Sequence, residues 1–267
     1  MTSKGTKLSY KTVLYSESAG IATITLNRPD KRNAISYELI ADVTAALKEA
    51  ADSQALVVIM TGAGSAFCAG MDLENLKQLL GRTPEQNLKD SQTMAGLFRS
   101  LYDCPKPTIA AVNGPAIAGG TGLAASCDFT LAVPEAKFGY TEVRIGFVPG
   151  IVSSYLVAIV GEKRARDLLL TGRVFGAEEA YRLGLVSEIV PSDQLMARAH
   201  ALAAELMLNS PNSLRATKAL LSRYTKAQLD QQLEWAIAEN AAVRQTPDFK
   251  EGITSFLEKR KPRWSSK

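Results

Sequence analysis

Two glycine-rich stretches are the first candidates for chemistry. Residues 61–67, Thr61-Gly-Ala-Gly-Ser-Ala-Phe67, follow the apolar run 56–60, and residues 113–122, with Gly119-Gly120, follow the apolar run 107–112. Each stretch lies where a buried strand would give way to a helix. Glycine lets a backbone approach a ligand closely, and the free N–H groups of a helix start attract negative charge. Two such loops brought together would make an oxyanion hole, a pair of donors aimed at a carbonyl oxygen that gains charge. Tight turns with no ligand satisfy the same spacing. Other chemistries fit worse. Phe67 stands where a dinucleotide fingerprint needs a small residue. Neither a G-x-x-x-x-G-K-[ST] loop nor a G-x-S-x-G elbow occurs, and the one histidine, His200, falls in an Ala/Leu-rich helical segment. Cys68 reads as small apolar packing rather than as a nucleophile.

The elements that must carry these loops alternate. Residues 11–16 and 21–26 read as paired strands around Ala19-Gly20. Ser36 is an N-cap, and Leu39, Ile40, Val43, Leu47 and Ala50 at helical spacing predict an amphipathic helix over 37–51. The runs 56–60, 107–112 and 128–133 are short and continuously apolar, as in buried parallel strands. Thr83-Pro84-Glu85-Gln86 has a Thr cap, Pro at N1 and Gln at N3, so a helix should start there and run to about residue 103. Asp72 should cap the helix that follows the first loop, and Asp128 should satisfy backbone donors at a strand start. After Pro191 the pattern becomes helical, over 191–208, 211–223, 226–242 and 248–259. The expectation is an α/β body, residues 1–195, followed by an all-helical region, 196–267.

Composition narrows the class further. The 267 residues are 46% apolar and 22% charged, which suits a folded chain with a sizeable core. Three cysteines without a C-x-x-C pair and a single histidine argue against a disulfide framework or a metal site, and a reducing compartment, the cytoplasm, is the expected setting. No secretory leader or membrane span is read; the uncharged stretch 109–127 is too rich in Gly, Ala, Ser and Thr. The formal net charge of +4 is localised: residues 257–267 hold Lys259, Arg260, Lys261, Arg263 and Lys267 against Glu258, and the rest of the chain balances to zero. A nucleic-acid-binding body is therefore not expected.

Motifs along the chain resemble those of the crotonase (enoyl-CoA hydratase/isomerase) superfamily. Ala66-Phe67-Cys68-Ala69-Gly70-Met71-Asp72-Leu73 is similar to its A-F-x-A-G-x-D-[LI] motif. Pro107-Thr-Ile-Ala-Ala-Val-Asn-Gly114, followed by Ala118-Gly119-Gly120, is similar to P-x-I-A-A-[VI]-x-G…G-G. Asn27-Arg28-Pro29 to Asn33-Ala34, Cys127-Asp128, Lys137-Phe138-Gly139, residues 142–149, Thr171-Gly172 and residues 256–262 match in order, so nearly the whole chain is covered.

The resemblance implies a spiral of ββα units with a C-terminal helical oligomerisation region, a homotrimer or a hexamer made of two trimers, and an acyl-CoA thioester as substrate. No separate cofactor or metal is implied, since coenzyme A belongs to the substrate. The oxyanion-hole N–H groups fall on Met71 and Gly119. Of the two glutamates common in family hydratases, one falls on Glu142 and the other on Gly122, which has no side chain. From the residues alone Glu142, in Tyr140-Thr-Glu-Val-Arg-Ile145, reads as a surface carboxylate paired with Arg144 or another base, and only the resemblance makes it catalytic. By resemblance Arg28 and Lys31 or Arg32 are candidate phosphate contacts. Ala69 and Asp72 would help hold coenzyme A, Gly120 and Gly122 would belong to the substrate-binding set, and Tyr140 would orient substrate or pack in the core. Phe256 and Lys259 would reach the nucleotide end, so part of the basic tail would serve as a phosphate site. The expected reaction is reversible hydration of a 2-enoyl-CoA, on short or branched (methylglutaconyl-like) chains. Double-bond isomerisation by a single Glu and non-catalytic acyl-CoA binding are the alternatives.

Overall fold

The computed structural model describes residues 10–265. Strands β1 (Val13–Ser18) and β2 (Ile21–Leu26) pair antiparallel through the two-residue turn Ala19-Gly20, both residues at positive φ. Such a turn matches the right-handed twist of the strands it joins. Helix α1 (Tyr37–Asp52) starts at Ser36, whose hydroxyl accepts the Leu39 N–H, and buries Leu39, Ile40, Val43, Ala46, Leu47 and Ala50. Strand β3 (Val57–Gly62) then lies parallel to β2.

After the first glycine loop come α2 (Leu73–Leu79), capped by Asp72, and α3 (Pro84–Tyr102), with its capping box of Thr83 and Gln86. Next follow β4 (Thr108–Val112), the two-residue β5 (Ala116–Ile117), α4 (Gly119–Ala125), β6 (Phe129–Ala132) and β7 (Lys137–Gly139). Helices α5 (Gly150–Val160) and α6 (Glu162–Thr171), strand β8 (Val174–Gly176), helix α7 (Ala177–Arg182) and strand β9 (Glu188–Ile189) complete the body.

The first three strands all join a large sheet, and from β4 onward the chain gives three strands to that sheet and three to a small one. The large sheet runs β1-β2-β3-β4-β6-β9, and the small one β5-β7-β8. The chain therefore advances as a spiral, with β3, β4 and β6 in parallel register and β5 parallel to β7. The main core fills the space between these sheets and their helices, and extends through Leu195, Ala199, Ala203, Leu229 and Leu233 of the C-terminal helices.

Those helices are α8 (Leu195–Met207), α9 (Pro211–Ala242) and α10 (Pro247–Leu257). The expected break near residues 224–225 is absent, and α9 is one helix of 32 residues. Tyr224 and Thr225 lack the steric means of Pro or Gly to stop a helix that tertiary packing supports.

Candidate active site

The two glycine loops are stitched together by their backbones. Phe67 and Cys68 donate to the Pro115 carbonyl, both at 3.1 Å, and Ile117 donates to the Cys68 carbonyl at 2.9 Å. A side chain on Gly120 would strike the Cys68 carbonyl, and one on Gly70, at φ +88°, would meet the Ile117 carbonyl at 3.0 Å. Asn33, fully buried, ties the N-terminal connection to the same place: its Nδ2 donates to the carbonyls of Ala63 (2.9 Å) and Ala66 (2.7 Å).

This stitching leaves two donors free. Among the described residues neither the Met71 nor the Gly119 N–H has a hydrogen-bond partner. Gly119 is the first residue of α4, and the residue before it, Ala118, sits at φ 53°, ψ −119°. Side chains avoid that region, at a cost on the order of 1–3 kcal/mol, and such strain persists only where surrounding structure imposes it. Here the Ala118 N–H is fixed to the Gly139 carbonyl at 2.6 Å, and the turn at Ala118 starts α4 with the Gly119 N–H unused.

Both donors belong to residues lining one cleft of about 530 Å³. Glu142 lines it too, on the 3-10 turn Glu142–Ile145 that follows β7. The residue is partly exposed as a whole, but its Oε2 is buried and lacks a hydrogen-bond partner. Loss of water raises the cost of the charged form, so the carboxyl is pushed up to about 7, opposed only by its own backbone N–H. Among the described residues it makes no ion pair, so the surface pairing with Arg144 does not form. Two close approaches hold this turn: side chains on Gly146 and Gly252 would strike the carbonyls of Asp248 and Ile145, so α10 grips the turn backbone to backbone.

Lys31, Ala69, Asp72 and Phe256 also line the cleft. Lys31 and Arg32 are exposed there and make no ion pair among the described residues; Phe256 is half-exposed. Asp72 has structural duties as well, accepting the Glu74 N–H at 2.9 Å and pairing with Arg28 at 2.8 Å. That pair, with a further bond from Arg28 to the Ala34 carbonyl, corrects the reading of Arg28 as a phosphate contact: its guanidinium is committed inside the protein and does not line the cleft.

Two other expectations are also corrected. Gly120 and Gly122 do not line the cleft; both are packing glycines of α4. A Cβ on Gly122 would lie 2.5 Å from Val152 and 2.9 Å from Phe98, so the place of a second glutamate is occupied by these two side chains. Tyr140 is fully buried and is not a cleft residue; its ring fills core space, and burial, then the Glu142 charge, pushes its hydroxyl up. Lys259, exposed and at φ +55° after the end of α10, does not line the cleft within this chain. Cys68 is buried and its thiol is pushed up to about 12 by desolvation, which makes it inert. Asp128 satisfies the Thr108 N–H at 2.7 Å, as expected of a strand start.

Sequence reasoning missed Ala118, Phe98, Phe147, Val152, Asn240 and Arg244, all cleft-lining. Asn240, in the last turn of α9, and Arg244, in the 3-10 turn Val243–Gln245 that follows it, stand four apart, a spacing that signals one helical face and nothing about a cleft.

The family model for enoyl-CoA hydratase/isomerase matches residues 16–267. The chain belongs to the enoyl-CoA hydratase/isomerase family. A Thermus thermophilus protein provisionally named an enoyl-CoA hydratase is 47% identical over 249 residues, covering 93% of this chain and 98% of that one. A short-chain-enoyl-CoA hydratase of Clostridium acetobutylicum is 33% identical, covering 93% and 95%. The crystal structure of an enoyl-CoA hydratase/isomerase from Xanthobacter autotrophicus superposes with a TM-score of 0.88 at 33% identity, covering 97% of this chain and 100% of that one. The protein is thus an enzyme of the hydratase/isomerase family, with the spiral α/β fold of the crotonases and a helical C-terminal region.

Proposed function

We propose that the enzyme hydrates a 2-enoyl-CoA reversibly to a 3-hydroxyacyl-CoA, on short or branched (methylglutaconyl-like) acyl chains. The observation that carries this reading is the convergence of one unpaired, desolvated carboxyl, Glu142, and two unpaired N–H groups, Met71 and Gly119, on one cleft. The thioester carbonyl would accept both N–H bonds. Glu142, as carboxylate, takes a proton from water as the water oxygen bonds to C3. The C2=C3 electrons move into the thioester, and the oxygen charge that forms rests on the two donors. Glu142 then gives the proton to C2, which restores the carboxylate and completes the addition of one water. A carboxyl that titrates near neutrality suits both transfers. One preorganised donor of this kind stabilises such a charge by about 2.7–4 kcal/mol.

Exposed Lys31 and Arg32 supply positive charge for the phosphates of coenzyme A, and Phe256 an apolar surface beside them. The mechanism draws on no cofactor beyond the coenzyme A of the substrate. The names of the relatives, two of them hydratases, support hydration, and the Clostridium relative's name supports a short chain. We further propose a homotrimer or hexamer, with Lys259 reaching a neighbouring subunit's substrate.

A second reading, double-bond isomerisation, is favoured by the filled space at Gly122, because one carboxyl suffices to carry a proton between C2 and C4. The test is the enoyl absorbance of crotonyl-CoA. It should fall with the wild type, with label from heavy water oxygen entering the product, and should not fall with Glu142→Ala. A shifted double bond without incorporated oxygen would establish isomerisation instead. Binding without turnover of any enoyl-CoA would leave acyl-CoA binding alone.

A further inference from the structure

The site leans on a second, smaller hydrophobic core. Its four buried members are Leu76 and Leu79 of α2 and Phe249 and Ile253 of α10, and none of them belongs to the main core. Three cleft residues, Met71, Ile145 and Phe147, pack against it. Met71 carries one of the two unpaired N–H groups. Ile145 ends the turn that begins with Glu142, and the Phe147 N–H donates to the Glu142 carbonyl at 3.0 Å. The rings of Phe147 and Phe249 are 5.3 Å apart. One small core thus supports both the base and a donor, and α10 contributes half of its buried residues.

Helix α10 has two faces. Phe249, Gly252 and Ile253 are buried on the inner one, and Gly252 there lies against the Ile145 carbonyl. The outer one carries Asp248 and Glu251, and the chain that follows the helix engages both. Arg260 forks onto Glu251, with Nη1 and Nη2 at 2.6 and 2.9 Å from its two oxygens. The Arg263 N–H donates to the same carboxylate at 2.7 Å. Ser265 donates to Asp248 Oδ1 through its N–H at 3.0 Å and its hydroxyl at 2.8 Å. The tail therefore folds back along α10 as a strap. A unit with so few buried apolar contacts opens on its own more readily than the main core does. A single exposed ion pair would do little to prevent that, but a bidentate one inside a network is the exception.

We propose that this strap is a positioning device: Arg260 and Ser265 hold α10 down, and α10, through Phe249 and Ile253, sets both the burial of Glu142 and the place of the Met71 N–H. This rests on the roles given above to Glu142 and Met71 and adds the residues that act through them. The basic tail then closes, in part, on its own chain.

Two readouts separate positioning from simple stability. The Glu142 carboxyl is raised by burial, and neither Arg144 beside it nor Asp248 and Glu251 on α10 shifts it, so its titration reports how closely α10 is docked. The turnover number reports the placing of base and donor, since a misplacement of about 1 Å can cost about 100-fold.

Carbon-13 NMR of the Glu142 carboxyl, assigned with Glu142→Gln, follows the titration without turnover. The variants are Glu251→Gln, and Arg260→Gln with Ser265→Ala. In both the midpoint should move down from about 7 by about half a unit or more, because water reaches the carboxyl. Turnover of crotonyl-CoA should fall about 3- to 30-fold with KM nearly unchanged. Arg260→Lys should lose less than Arg260→Gln. Ile253→Ala, on the inner face, should act in the same direction and more strongly. Arg260 is exposed and lies outside both cores, so the strap variants decide the matter even where Ile253→Ala does not fold. An unchanged midpoint and turnover in both strap variants would overturn the proposal. So would a raised KM with midpoint and turnover unchanged, which would assign Arg260 to the phosphates of coenzyme A. Hydration is judged separately: a midpoint near 7 that the strap variants lower, in an enzyme that adds no water to crotonyl-CoA, would sink hydration and leave the strap standing. A wild-type midpoint near 4.5 would overturn both the buried base and the strap.

Discussion

Glu142 joins sequence to reaction through its protonation state. Its carboxyl titrates near 7 because burial disfavours the charge, and the carboxylate is the form that accepts the proton of water. The rate at low substrate, kcat/KM, should therefore fall as pH drops through about 7, and Glu142→Gln should lose that limb along with about 10²–10⁴ of the rate. A pH profile of crotonyl-CoA turnover checks both. The same shift has a sign for stability. A carboxyl raised in the fold contributes stability that is present below its unfolded value, near 4.5, and is lost as pH rises through about 7. Glu142→Gln has no such loss. It should be more stable than the wild type at pH 8, by about 1–3 kcal/mol, and nearly equal to it at pH 4, read by urea unfolding at each pH. Greater stability of the wild type at pH 8 would mean that the carboxyl is not desolvated.

The elements hold the donors in place by close packing and local strain. Helix α4 begins on a strained residue and packs its glycines on Cys68, Phe98 and Val152. Gly122→Ala should cost about 1–3 kcal/mol through overpacking. Because Val152 is the nearest atom, at 2.5 Å, the cost should shrink when Val152→Ala is present, which a double-mutant cycle of denaturant midpoints measures. Additive costs would show that the α4–α5 contact is looser than it stands here. At Ala118, glycine relieves the conformation at φ 53°, and Ala118→Gly should gain about 1 kcal/mol, since the strain released exceeds the added freedom of the unfolded chain. A loss of stability on the same scan would argue against strain at that residue. The end of α10 matters for a different reason. Gly252 lies against the Ile145 carbonyl in the turn that carries Glu142, so a side chain at position 252 would disturb the base from the far end of the sequence.

At the scale of the whole molecule, α9 presents apolar surface to solvent. Leu220, Leu221, Tyr224 and Trp235 are all about half-exposed or more and fall within about 100° of one another around the helix axis. A stripe of that kind marks an association surface. Sedimentation should give three or six times the chain mass, and Tyr224→Glu with Trp235→Glu should reduce it. A monomeric wild type at micromolar concentration would refute the proposed assembly.

What the sequence determined by itself was the set of local devices. Ser36, Thr83 with Gln86, and Asp72 are caps whose partners lie within three residues, and each forms as read. The three apolar runs became parallel strands of one sheet because burial on both faces needs only a continuous apolar stretch. The motif residues then indicated Met71, Gly119 and Glu142 as cleft residues. Tertiary structure decided the rest, because those facts depend on residues far apart in the chain. Arg28 finds Asp72 forty-four positions away, and Arg244 finds Asp90 at a separation of 154. Phe98 and Val152 close over Gly122 from two different helices. The value near 7 for Glu142 is also a tertiary property. A carboxyl's proton affinity is set by the water it loses and the charges it meets, and only the folded cleft determines either.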